Sequence, residues 1–139
     1  MLLLVVDMQK GLFDKQTTRY DAQGVIHRIN CLIEKIRQNK GTLIFIQHDG
    51  PIGDSLEPHT LGWELLDALD RRDTDTIIRK KACDAFLETP LLETIQGLRE
   101  NRLIITGCAT DFCVDTTVRS AGGKGFDVSV AADAHTTAD

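Results

Sequence analysis

No cluster of basic residues interrupts this 139-residue chain, and its aromatics, 5% of the residues, are not interleaved with Lys or Arg. Nucleic-acid binding needs such a footprint and is not expected. Long apolar runs are also missing. The opening Met1-Leu2-Leu3-Leu4-Val5-Val6 meets Asp7 at once, with no basic region before it. It is too short for a membrane span and wrongly flanked for a signal peptide, so no membrane partner and a cytoplasmic setting are expected. In that setting the four cysteines are reduced thiols rather than disulfides. Cys108 and Cys113 stand five positions apart, which fits neither a C-x-x-C redox pair nor a zinc knuckle. His27, His48, His59 and His135 are dispersed, no two at a ligand-type spacing, so no metal and no cofactor is expected. Internal repeats and low-complexity segments are absent.

What remains is ordinary globular composition, 42% hydrophobic and 27% charged with a formal net charge of -5, in one domain over residues 1–139. The pattern alternates strand and helix. Leu2–Val6 is a continuous apolar run of the kind parallel sheets bury. Val25, Ile26, Ile29, Leu32, Ile33 and Ile36 recur at helical spacing until Gly41, and Thr42–Gln47 reads as the next strand. His48–His59, with Gly50, Pro51, Gly53 and Pro58, is a long loop of the kind that carries function. Leu61–Leu69 reads as a short helix, Thr76–Arg79 as a strand, Pro90–Leu98 as a helix and Arg102–Thr106 as a strand. Asp111–Ala121 reads as a helix and Asp127–Ala131 as the last strand. These elements specify an α/β fold, a three-layer doubly wound parallel sheet of Rossmann-like type covered by helices on both faces. Ligands in such sheets bind beyond the carboxyl ends of the strands, where Asp7, His48, Lys80 and the Gly107–Cys113 turn all fall.

Cys113 is the strongest chemical candidate. A free cysteine is most often a small buried hydrophobe. The strand-Gly-turn-helix setting instead places this thiol over the first turn of a helix, where unpaired N–H groups favour an anion. The expected consequence is a lowered pKa and a nucleophilic thiolate. Cys108 beside Gly107 reads as packing, Cys31 as incidental, and Cys83 as structural or as a reactive alternative near Lys80. Asp7, after five apolar residues, either caps a turn or accepts the thiol proton. Lys80 and Lys81 form either a solvated pair or a cation aimed at the thiolate. Phe13 and Trp63 are either core residues or apolar pocket walls.

Val6-Asp7-Met8-Gln9-x-x-Leu12-Phe13, then Lys80-x-x-x-Asp84-Ala85-Phe86, then Gly107-x-x-Thr110-x-x-Cys113-Val114, with Asp133-Ala134 following, resemble the isochorismatase-like (cysteine hydrolase) superfamily. That superfamily holds nicotinamidases, N-carbamoylsarcosine amidohydrolases, ureidoacrylate-type hydrolases and isochorismatases. The resemblance implies a catalytic triad of Asp7, Lys80 and Cys113, with Lys80 chosen over Lys81 by its distance from Phe86. It implies a non-proline cis peptide between Cys108 and Ala109, directing the backbone N–H groups of Ala109 and Cys113 into an oxyanion hole. Phe13, His48 and Trp63 are then expected to line the substrate pocket.

Nicotinamidases of the superfamily hold a metal through a D-x-H pattern, whereas this chain has Gln47-His48-Asp49-Gly50. True isochorismatases often lack the cysteine, so Cys113 favours carbon–nitrogen hydrolysis. The expected activity is cysteine-dependent hydrolysis of a small amide, carbamoyl or ureido compound through a thioester. The alternatives are vinyl-ether hydrolysis with Asp7 as general acid, and a non-catalytic thiol redox or interaction module. Superfamily chains run on for a further helix, strand and helix, so a C-terminal truncation or a neighbouring chain is expected to complete the sheet. The expected assembly is a homo-oligomer, dimer or higher.

Overall fold

The computed structural model describes residues 1–138. Five strands, β1 (Leu2–Val6), β2 (Thr42–His48), β3 (Thr76–Lys80), β4 (Arg102–Cys108) and β5 (Asp127–Thr136), form one parallel sheet in the order β3-β2-β1-β4-β5. Helices α1 (Ala22–Gln38), α2 (Leu91–Gly97) and α3 (Asp115–Gly123) cover it. Strand alternation divides the apolar residues between two cores. Leu3 and Val5 pack with Val25, Ile29, Ile33 and Phe45 beneath α1, while Leu2, Leu4 and Val6 pack with Ile44, Ile46, Leu91, Ile95 and Ala121 beneath α2 and α3. The central strand is therefore apolar at every position, as the sequence pattern requires. Among the described residues, no helix is long and apolar enough to cross a membrane.

Three elements differ from the sequence expectation. Leu61–Leu69 is not a helix; only Leu61–Trp63 forms a short 3-10 turn. The chain instead runs antiparallel past the end of β1, with Lys10 N–H donating to Glu64 C=O (2.9 Å) and Leu66 N–H to Met8 C=O (3.0 Å). Leu65 and Leu69 are buried at helix-like spacing, but pairing with Gln9 satisfies this backbone more fully than a short isolated helix would. Strand β5 continues five residues past Ala131, because a register shift between Ile105 and Gly107 lets its end follow β4. The expected Asp111–Ala121 helix begins instead as a π-turn over Thr110–Val114, and α3 proper starts at Asp115.

Gly107 lies where β4 comes hard against β1. Its φ is +118°, and a Cβ there would lie 2.1 Å from the Val6 carbonyl oxygen, so only glycine fits between β1 and the turn carrying Cys113.

Candidate active site

Three strand ends deliver the candidate residues to one edge, and a left-handed turn aims the first. Asp7 leaves β1 at φ 50°, a conformation its short polar side chain tolerates, while its N–H stays tied to Ile46 C=O at 3.0 Å. The carboxylate is buried, at 2% exposure. Lys80 ends β3 and is equally buried at 2%, whereas Lys81 is exposed. The residue that points inward is thus the one on the same face as buried Ile78.

Lys80 Nζ is the hub of the site. It lies 3.0 Å from Asp7 Oδ2, 3.0 Å from His48 Nδ1, 2.7 Å from the Ala82 carbonyl oxygen and 3.3 Å from Cys113 Sγ. Asp7 Oδ1 is buried and has no hydrogen-bond partner among the described residues, which leaves an acceptor beside the thiol. A carboxylate oxygen of Asp7, a ring nitrogen of His48 and Cys113 Sγ all lie within 4.8 Å of one another. Such a donor set invites comparison with a metal site. Each of the three groups contacts the Lys80 ammonium through one atom, and that positive charge beside the cluster matches it poorly to a metal cation.

Burial sets the charge states. It raises the Asp7 pKa above the ordinary carboxylate value, with Lys80 offsetting only part of the effect. Burial first, and the Asp7 charge second, push the Cys113 thiol well above the ordinary range. The lowered Cys113 pKa expected from a helix start is therefore overturned. The thiol sits in a π-turn, half-buried and facing a carboxylate, and burial with the Asp7 charge outweighs the opposing Lys80 charge. A thiol of this kind needs a proton acceptor at hand rather than spontaneous ionisation. Burial and Lys80 together lower the His48 pKa, which keeps the ring neutral. Cys108 is pushed up to about 11 by burial and is fixed in the core, while Cys31 and Cys83 are exposed.

The Cys108–Ala109 peptide bond is cis, as the resemblance implies. The Ala109 carbonyl receives the N–H groups of Phe112 (3.2 Å) and Val114 (3.0 Å), which closes the turn around Cys113. From β5, His135 Nδ1 pairs with Thr110 Oγ1 at 2.8 Å, and just past its end Thr137 Oγ1 donates to Asp111 Oδ1 at 2.6 Å. The long end of β5 thereby pins the same turn.

Of the three residues expected to line a pocket, only His48 is hydrogen-bonded to this group. Phe13 packs against the core beneath α1. Trp63 donates its indole N–H to Asp49 Oδ1 at 2.8 Å and lies under the Arg79 guanidinium, which itself holds Asp49. Trp63 therefore fastens the loop after β2 to β3. Beyond that clamp, two adjoining cavities of about 600 and 500 Å³ open along β3, sharing Asp49, Arg79 and Lys81. Sequence reading missed the contact between His48 and Lys80, although its signal was present. Each ends its strand, and the two are register partners in adjacent parallel strands.

Comparison with known proteins bears on the whole arrangement. The model of the isochorismatase domain matches residues 1–139. Streptothricin hydrolase of Streptomyces noursei is 31% identical over 99% of this chain, which spans only 54% of that protein's length. Nicotinamidase 3 of Arabidopsis thaliana is 26% identical, with 97% of this chain and 72% of that protein covered. A crystal structure of an isochorismatase family protein superposes with a TM-score of 0.92 at 33% identity, covering 98% of this chain and 80% of that one. Fold, strand-end motifs and full-length family match agree, and the chain belongs to the isochorismatase family.

Proposed function

We propose that this domain hydrolyses a small amide, carbamoyl or ureido compound through a thioester on Cys113. The observation that carries the reading is the buried Asp7–Lys80 pair, with Oδ2 to Nζ at 3.0 Å and the Cys113 thiol 3.3 Å from the same ammonium. Asp7 accepts the thiol proton while Lys80 holds the negative charge that passes to sulfur. Sulfur attacks the carbonyl carbon, and the Ala109 and Cys113 amides receive the developing oxyanion. Collapse of the tetrahedral species breaks the carbon–nitrogen bond, and Asp7 returns its proton to the leaving nitrogen. Water then attacks the thioester, giving one proton to Asp7 and afterwards to the thiolate, which restores the site. The names of two relatives, a streptothricin hydrolase and a nicotinamidase, support a hydrolase and an amide substrate respectively.

Intact-protein mass spectrometry after exposure to a panel of amides, carbamoyl and ureido compounds tests the reading. An acyl adduct mapped to Cys113, and lost in Cys113→Ala, is the expected result. Turnover that survives Cys113→Ala would remove the thioester and favour the vinyl-ether chemistry in which Asp7 acts alone as acid.

A further inference from the structure

An ammonium group has three protons to donate, and Lys80 Nζ has four acceptors around it. Ala82 C=O at 2.7 Å and His48 Nδ1 at 3.0 Å are neutral. Asp7 Oδ2 at 3.0 Å and Cys113 Sγ at 3.3 Å are the two ends between which negative charge must move during thiol activation. Because Lys80 is buried, each of its protons needs a partner at every stage.

Resting on the reading of Asp7, Lys80 and Cys113 as the reacting groups, we propose that His48 is a positioning residue that anchors one proton of Lys80. His48 and the Ala82 carbonyl keep two of the three protons throughout. The third proton points to Asp7 Oδ2 while the carboxylate is charged. When the thiol proton passes from Sγ to the carboxylate, the S–H bond breaks and an O–H bond forms. The negative charge then resides on sulfur, and the third N–H turns from Asp7 to Sγ. Lys80 and His48 neither gain nor lose a proton. Accepting from an ammonium requires His48 Nδ1 to be bare, so the neutral ring must carry its hydrogen on Nε2.

The surroundings fit that assignment. The charged and titratable groups acting on His48 are Lys80, Asp7, Asp49 and Asp54, with Cys113 within 4.8 Å of the cluster. Asp49 is taken by Arg79 and Trp63, and an Asp54 oxygen receives the Leu56 N–H. Burial and Lys80 prevail over these carboxylates and disfavour the imidazolium. The His48 backbone is fixed as well, since Gln9 Oε1 receives its N–H and Gln9 Nε2 donates to its carbonyl, both at 2.9 Å. The imidazole thus starts from a backbone that is hydrogen-bonded on both sides.

The test uses the whole protein and needs no substrate. Nitrogen-15 NMR of the wild-type imidazoles near neutral pH is expected to show His48 as the neutral Nε2–H tautomer. An Nδ1–H tautomer or an imidazolium overturns the proposal even if no variant folds. The rate of Cys113 alkylation by iodoacetamide, followed by peptide mapping with exposed Cys31 and Cys83 as internal references, gives the functional readout. His48→Leu removes the acceptor, so the three protons are divided among the Ala82 carbonyl, Asp7 and the weakly accepting Sγ, and the ammonium is no longer anchored while one proton turns toward sulfur. It is expected to slow Cys113 alkylation about tenfold and to move its pH profile upward. His48→Asn, whose amide oxygen can accept the same proton, is expected to restore most of the rate. An unchanged profile in His48→Leu, or no rescue by His48→Asn, overturns the anchoring role. Because these readouts are independent of amide turnover, failure to find an acyl adduct would count against the proposed reaction and not against this inference.

Discussion

Gln9 pairs with the His48 backbone as if it were a neighbouring strand. Its Oε1 receives the His48 N–H and its Nε2 donates to the His48 carbonyl, both at 2.9 Å, and the same Nε2 lies 2.9 Å from the Trp63 carbonyl. The side chain has no solvent exposure, so it cannot exchange these bonds for water. It therefore fixes where β2 ends relative to Asp7, two residues before it in the chain.

Gln9→Leu is expected to be strongly destabilising although it preserves apolar volume. The substitution strands the N–H and C=O of His48, whereas the Trp63 carbonyl still receives Gln47 Nε2 at 3.0 Å. Each stranded group costs about 1–3 kcal/mol. Thermal denaturation should show a clear fall in Tm, and any folded fraction should have reduced turnover. An unchanged Tm would mean that Gln9 is not the brace described.

Asp7→Asn tests the charge balance of the site. Burial raises the Asp7 pKa in the folded protein above the ordinary carboxylate value. A group shifted upward contributes its stability below the unfolded value and loses it as pH rises through the folded one. At neutral pH that benefit is absent, and Asp7→Asn in addition leaves the buried Lys80 ammonium without its counter-charge, so Tm should fall although the amide can still accept from Lys80. Turnover should fall by about 10²–10⁴-fold because the proton acceptor is gone. The thiol itself should titrate lower than in the wild type, since the Asp7 charge helps hold it up. For the wild type, turnover should fall as pH drops through the raised Asp7 pKa, above where an ordinary carboxylate would titrate. A variant with raised Tm or unaltered thiol titration would contradict the assigned charge balance.

Continuous apolar runs made β1, β2 and β4 legible, because a strand buried on both faces leaves no other pattern. The convergence of Asp7, His48, Lys80 and Cys113 followed from their places after strands. What stayed hidden depends on contacts between distant segments. Leu65 and Leu69 carry helical spacing, but the backbone of Leu65 and Leu66 is paired with Gln9 and Met8. The second half of β5, Ala132-Asp133-Ala134-His135-Thr136, has little β-branched character and owes its conformation to β4. The Cys113 protonation state was misjudged for the same reason. A local rule about helix starts cannot register that Asp7, more than a hundred residues earlier, faces the thiol.

We expect the protein to self-associate near the site. Ile52 is 93% exposed, Leu61 70% and Phe112 61%, and Phe112 is adjacent to Cys113. Exposed apolar surface of this kind marks an interface where it is contiguous. Light scattering should report a dimer or larger species, and Phe112→Ser should shift it toward monomer. A monodisperse wild-type monomer that turns over an amide would refute the expectation.

Gly107→Ala tests whether the turn carrying Cys113 depends on the close contact between β1 and β4. A methyl group at this position would lie 2.1 Å from the Val6 carbonyl oxygen and 2.7 Å from the Val6 nitrogen. Both neighbours are backbone atoms of the central strand, so neither can swing aside as a long side chain would. The φ of +118° adds a second penalty, since an L side chain rarely adopts it. Two backbone shifts can relieve the clash: β4 moves away from β1, or the chain from Gly107 to Cys113 rotates outward. The first breaks the register Val6↔Gly107 and costs stability. The second lengthens the 3.3 Å contact between Lys80 and Cys113 and costs activity. The expected outcome is a loss of more than about 1 kcal/mol of stability. Cys113 acylation should slow even in the protein that remains folded, with Cys31 and Cys83 alkylating as in the wild type. Wild-type stability together with wild-type acylation would show that the sheet yields there at no cost, and that Gly107 does not set the position of Cys113.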